Sequence, residues 1–311
     1  MRPIGLRKST LEESVNPPER DLLTRRPADA SRKMRATGRS LRICSQTLCG
    51  IAGYSLGSES AVERTVAARA LLTGIAERGA DAVGYAYRAP GARIETHKQR
   101  SGATALLERI RVPEDAVQLL VHVRDYTKGH PSLVANNHPI RHGAVVGVHN
   151  GIIENDDELF TRYRIERAEA GMTVDSEIIF ALAEVFRGRT ATALEQLYGT
   201  MATAWLDEGR PELIVARGLN RPLWLGKGKH ELVFASTRVA LELVESYAGI
   251  KLRKSELPEG TLVAVEHGKI VAQNSFQLDR SFQDEPLPAV RAPDEARSCR
   301  ERLATLHVAA A

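Results

Sequence analysis

Residues 121–155 read VHVRDYTKGHPSLVANNHPIRHGAVVGVHNGIIEN. Two short apolar runs, 117–123 and 144–148, frame this stretch and read as buried strands. Polar residues capable of chemistry follow each run directly: Arg124 after the first, His149-Asn150-Gly151 after the second. Loops at strand ends are where sites are usually built. A guanidinium placed there can clamp a carboxylate through two parallel hydrogen bonds. Asn-Gly, read by itself, is the signature of a hairpin turn.

Working outward, residues 61–77 have a helical period, with Val62, Val66, Ala70 and Ile75 roughly on one face, and Gly79 ends the pattern. Residues 83–87, 213–216, 222–225, 232–235 and 262–265 read as further strands. Helices are expected over 174–186 and 237–244, the former with Asp175 in its first turn, where a carboxylate suits the helix dipole. Many short strands with a few helices point to an α+β fold rather than a βαβ repeat.

Residues 1–48 hold 11 Lys and Arg against 5 Asp and Glu, whereas the rest holds 32 against 34. The positive charge of the chain therefore belongs to its first 48 residues. They lack any sustained apolar period and read as a disordered extension. The near-neutral remainder argues against a nucleic-acid partner. Residues 49–280 read as the domain, and residues 281–311, rich in Pro and charge, as a weakly ordered tail that a short helix closes. No apolar run is long enough to span a membrane, and no secretory signal is evident. Three cysteines, Cys44, Cys49 and Cys299, form neither a disulfide framework nor a zinc-ligand spacing. A cytoplasmic location fits this usage. Leu225-Gly226-Lys227-Gly228-Lys229 lacks the spacing of a phosphate loop, and no dinucleotide fingerprint occurs. Neither a metal nor an organic cofactor is expected, and no oligomeric state follows.

Six pieces of the chain, in order, resemble the class II glutamine amidotransferase domain family, closest in motif to the glutaminase domain of glucosamine-6-phosphate synthase. They are Cys49-Gly50-Ile51-Ala52-Gly53, Arg78-Gly79-Ala80-Asp81-Ala82-Val83-Gly84, His122 to Gly129, His138-Pro139, His149 to Asn155, and Asp175-Ser176-Glu177-Ile178-Ile179. The resemblance covers roughly residues 49–270. It implies an N-terminal-nucleophile hydrolase fold, four layers αββα with two stacked antiparallel sheets. It implies that Cys49 attacks the side-chain amide of glutamine as a thiolate, with its own α-amine as general base and then acid. A free α-amine has a reference pKa of about 7.7–8.0, close to working pH. Asn150 and the Gly151 N–H would hold the oxyanion. Arg124 would bind the α-carboxylate of L-glutamine and Asp175 its α-ammonium. Thr127 and His138 would line the substrate site, His138 with a structural role as well.

Two departures bear on closure of the glutamine loop: Asp125 stands where that branch has Trp, and Lys128 where it has His. A third bears on the base. Cys49 follows 48 residues, so its nitrogen is an amide as the chain is written. Three readings remain: a start at Leu48, whose codon can initiate translation in bacteria; cleavage of a propeptide after Leu48; or retention of the extension in an inactive domain. Ammonia would pass to a separate synthase or ligase subunit. The competing functions are an amidase for a γ-glutamyl or other amide, and a silent glutamine-sensing module.

Overall fold

The computed structural model describes residues 49–88, 93–284 and 290–308; the reading of residues 1–48 as a disordered extension lies outside them. The strands alternate between two antiparallel sheets in blocks. β1 (Gly50–Leu56), β2 (Ala82–Arg88), β3 (Glu95–Gln99) and β4 (Gln118–Arg124) begin the first sheet. β5 (Ile140–His142), β6 (Val145–Ile153), β7 (Gly199–Asp207) and β8 (Arg210–Arg217) build the second. β9 (Trp224–Lys227), β10 (Glu231–Ala235) and β11 (Arg253–Glu256) return to the first, and β12 (Thr261–Glu266) and β13 (Lys269–Ser275) complete the second. The orders are β11-β9-β10-β1-β4-β2-β3 and β13-β12-β8-β7-β6-β5.

Three apolar cores separate four layers, as expected for the αββα architecture. Between the sheets lie Ile51, Leu120, Val146, Val148, Ala204 and Val215, among others. Outside the first sheet, α1 (Arg64–Ile75), α2 (Ala103–Leu107), α6 (Arg238–Ala248) and α7 (Pro293–Val308) cover residues such as Tyr54, Val121 and Val233. Outside the second, α3 (Asp156–Tyr163), α4 (Glu177–Val185) and α5 (Thr190–Leu194) cover Val145, Ile153 and Trp205. β1 is buried along its whole length because both its faces meet a core. Each fully buried aliphatic side chain there contributes about 1.5–3 kcal/mol.

Local chemistry adjusts the expected boundaries. α1 starts at Arg64, because the Glu63 carboxylate accepts hydrogen bonds from the Thr65 and Val66 N–H groups and so caps the helix. β9 starts at Trp224 rather than 222, after Pro222, which has no N–H to give to a ladder. The segment expected to be a weakly ordered tail instead contains the 16 residues of α7. Ala296, Cys299 and Leu303 on one face of α7 are buried in the outer core. The Glu295 carboxylate also accepts from the backbone N and Oγ1 of Thr104, both at 2.9 Å, and so ties α7 to α2. No helix among the described residues is long and apolar enough to cross a membrane.

Candidate active site

Cys49 immediately precedes β1, and β1 lies between β4 and β10. Antiparallel pairing sets Gly50 opposite Val123, so Cys49 falls beside the end of β4. Its thiol donates to the Asp125 carbonyl at 3.4 Å, and Arg78 Nε donates to the Cys49 carbonyl at 3.0 Å. Around this pair the chain is tightly interlocked. Asp81 N donates to the Arg124 carbonyl at 2.9 Å, and Tyr126 N to Asp81 Oδ2 at 2.9 Å. A Cβ on Gly79 would stand 2.5 Å from the Arg124 carbonyl oxygen, so the turn needs glycine to approach that closely. Sequence reasoning quoted residues 78–81 but gave Arg78 and Asp81 no task. Their contacts with the Cys49 carbonyl and with the Tyr126 N–H brace the start of β1 against the end of β4.

Burial pushes the Cys49 thiol up to about 11. The Asp125 carbonyl and the Arg124 guanidinium act in the opposite direction, and the Asp125 and Asp175 carboxylates reinforce the rise. Arg124 and Asp175 are thus both close enough to act on the thiol electrostatically.

His149-Asn150-Gly151 does not follow a strand. It lies inside β6, which runs on to Ile153, and Asn150 pairs with Ala202 and Gly151 with Met201 of β7. The hairpin-turn reading of Asn-Gly is therefore wrong here. The apolar run stops at Val148 because the following side chains are polar yet buried, not because the strand ends. His149 Nδ1 meets Ser176 Oγ at 2.8 Å and its Nε2 meets the Thr200 carbonyl at 3.2 Å. Gly151 has φ +149°, and a Cβ there would lie 2.0 Å from the Thr200 carbonyl oxygen. Asn150 is fully buried, and neither its Oδ1 nor its Nδ2 has a partner among the described residues. An unpaired buried amide costs about 1–3 kcal/mol, so such a group calls for an explanation.

Asp175 is not in the first turn of a helix. It stands two residues before α4, and its Oδ2 accepts from Ile153 N at 2.8 Å. Its carboxylate turns back to β6 instead of capping α4. Burial raises it to about 6 against the pull of the Ile153 N–H.

Arg124 is the last residue of β4 and is 2% exposed. Its guanidinium is not a free clamp. Nη1 donates to the Asn136 carbonyl and, at 2.6 Å, to Asn137 Oδ1. Nη2 donates to the Lys128 carbonyl at 2.9 Å and to the Gly129 carbonyl. The fork thus shapes the loop that runs from Asp125 to Pro139. Thr127 sits half-buried within that loop. His138 is buried, and its ring stacks on His122 with centroids 4.0 Å apart. Both its ring nitrogens are unpartnered among the described residues. Burial, with His122, Arg124, His149 and Lys98 around it, holds it well below the ordinary imidazole range. His138 is therefore neutral near pH 7 and an unsuitable proton donor.

Both departures in the loop are ion-paired. Lys128 Nζ lies 2.7 Å from Asp156 Oδ1 and 3.0 Å from Asp157 Oδ2, and Arg167 meets the same two carboxylates at 3.0 and 2.9 Å. Asp156 is fully buried, so this network fixes the loop to the start of α3. Asp125 pairs with Arg291 at 3.1 Å. These partners lie far apart in sequence and no local pattern announced them.

Comparison with known proteins follows the same lines. A family described as a glutamine amidotransferase domain matches residues 123–243. The glutamine–fructose-6-phosphate aminotransferase (isomerizing) of Caulobacter vibrioides is 30% identical over 258 residues, 78% of this chain and 40% of that protein. The protein of the same name from Bradyrhizobium diazoefficiens is 32% identical over 204 residues, 62% of this chain and 32% of its own length. The chain thus spans well under half the length of these relatives. Among solved structures, glutamine phosphoribosylpyrophosphate amidotransferase from B. subtilis, complexed with ADP and GMP, superposes with a TM-score of 0.59 at 20% identity. That match covers 74% of this chain and 49% of the other, and speaks for the fold.

Proposed function

The chain belongs to the class II glutamine amidotransferase family, and from that premise we propose that it hydrolyses the side-chain amide of L-glutamine through Cys49. The observation that carries this reading is Asn150: a buried amide without a partner among the described residues, next to a glycine with no room for a side chain, on the strand that faces β1 across the inter-sheet core. Buried donors left open in this way suit a charge that develops only during reaction.

In the proposed sequence, the freed α-amine of Cys49 takes the thiol proton. The thiolate adds to the glutamine amide carbon, and Asn150 Nδ2 and the Gly151 N–H hold the oxyanion. The ammonium of Cys49 returns its proton to the leaving nitrogen, and ammonia departs. Water, deprotonated by the same amine, then cleaves the thioester to glutamate and restores the thiol. Arg124 supplies positive charge for the α-carboxylate while its fork keeps the loop in shape. Asp175 pairs with the α-ammonium, and Thr127 and His138 line the loop side of the site. We take the acceptor of ammonia to be a separate synthase or ligase subunit.

The test is substrate choice by the chain beginning at Cys49. Glutamate and ammonia are expected in equal amounts from L-glutamine. Release from γ-glutamyl anilides with none from glutamine would replace this reading with the amidase one.

Asp175 gives a second expected result. Its charged form, which pairs with the substrate ammonium, is present above about pH 6 and is lost as pH falls. In calorimetric titrations of a Cys49→Ala chain, glutamine affinity should fall about tenfold per pH unit below about 6. Asp175→Asn should bind weakly and without that slope. A flat profile in the parent chain would remove Asp175 from the ammonium site.

A further inference from the structure

Arg291 lies two residues before α7 and touches both elements that grip Cys49. Its backbone N–H and that of Ala292 each donate to the Glu77 carbonyl at 2.8 Å. Glu77 adjoins Arg78, whose Nε holds the Cys49 carbonyl at 3.0 Å. The Arg291 side chain reaches the other element: its Nε donates to Asp125 Oδ2 at 3.1 Å, and the Asp125 carbonyl receives the Cys49 thiol at 3.4 Å. Arg291 is not on a loose arm. α7 is docked by Ala296, Cys299 and Leu303, by the Glu295 cap on Thr104, and by an ion pair between Arg302 and Glu108.

We propose that Arg291 is a positioning residue for the glutamine site: it ties Asp125 and the 77–78 turn together so that the Asp125 carbonyl faces the thiol and its carboxylate is neutralised. This rests on the glutaminase reading above. The charged groups around the thiol are Arg78 from the turn after α1, Arg124 and Asp125 from the end of β4, and Asp175 from the segment before α4. Of these, Asp125 and Asp175 oppose the thiolate, and among the described residues only Asp125 has a cation delivered to it by the C-terminal segment. Arg291 therefore acts on the nucleophile through Asp125, without reaching it. It links the C-terminal segment, outside the family match at residues 123–243, to the reacting centre.

The experiment uses the chain beginning at Cys49 in four forms: parent, Arg291→Gln, Arg291→Lys, and Arg291→Gln with Asp125→Asn. Two readouts are taken, the pH profile of iodoacetamide alkylation of the thiol and the kcat and KM for glutamine. The pair is partly exposed, so the effect is modest. Arg291→Gln should shift the alkylation profile to higher pH and lower kcat/KM about two- to fivefold at pH 7. Arg291→Lys should restore most of both. Removing the Asp125 charge in the Arg291→Gln background should cancel the shift in the alkylation profile. An Arg291→Gln profile that superimposes on the parent would overturn the proposal, as would a shift that Asp125→Asn leaves in place. Alkylation needs no turnover, so it judges Arg291 even if glutamine is not the substrate. Failure to hydrolyse glutamine would count against the glutaminase reading alone.

Discussion

A chain that begins at Cys49 should hydrolyse glutamine ~10²–10⁴-fold faster than the same chain carrying residues 1–48. General base catalysis of this kind contributes about 10²–10⁴-fold. With the extension attached, the nitrogen of Cys49 is an amide and offers no base. The thiol is then left to itself, and burial holds it at about 11. At pH 7 that leaves a thiolate fraction of ~10⁻⁴. Freed, the α-amine sits beside the thiol with a pKa close to working pH and can carry the proton in both halves of the reaction. The measurement is glutamate release by the two forms, each with its N-terminus verified by mass spectrometry. Cys49→Ala should abolish release from the shorter form. Equal activity with residues 1–48 intact would eliminate the amine as base and the reading in which the retained extension leaves the domain inactive, and activation of Cys49 would fall to another group.

The second large effect is at Asn150. Asn150→Ala should lower kcat by about 10²–10³ while leaving KM nearly unchanged, the signature of a donor used only in the transition state. Its stability signature should differ from that of an ordinary core residue. The amide is fully buried and both its polar atoms are unpartnered among the described residues, so the folded state gains nothing from hydrogen bonds there. Removing it relieves a desolvation cost of about 1–3 kcal/mol, which offsets the small cavity left behind. The thermal midpoint should therefore hold or rise as activity collapses. A fall in the midpoint with kcat retained would assign Asn150 to the scaffold and leave the oxyanion to other donors.

Much of this was legible because strands announce themselves by short apolar runs. The runs at 117–123 and 144–148 fixed β4 and β6, and with them the neighbourhood of Arg124 and Asn150. The error at His149-Asn150-Gly151 has a physical cause. Asn-Gly in isolation prefers a turn, but here β7 supplies ladder partners and Ser176 and Thr200 satisfy His149, so the strand continues through polar residues. Asp175 was misplaced for a related reason: a carboxylate beside a helix start also has the option of a β-strand N–H, and the fold brings Ile153 to it. Arg124 was singled out as a clamp for a carboxylate, but a sequence cannot show that its fork is occupied by the loop that follows it. α7 was obscured by proline and charge, although Ala296, Cys299 and Leu303 already held the spacing of one helix face. The pairing of Arg291 with Asp125, 166 residues apart, left no sequence signal at all.

The block order of the strands has a consequence in time. Of the described strands β1 is synthesised first and can find β4 early, but its other edge waits for β10. Ile51 N donates to Ser236 Oγ at 3.1 Å, and Ser236 N donates to the Ile51 carbonyl at 2.8 Å, so both backbone groups of Ile51 turn to a residue 185 positions away. Contacts of such separation form slowly, and during elongation they cannot form before their second half exists. The strand that follows Cys49 thus gains its second neighbour only after β5, β6, β7 and β8 of the second sheet have left the ribosome. Of the described strands β1 is the first to be made, yet five others, β5 to β9, are made between its first neighbour and the arrival of its second.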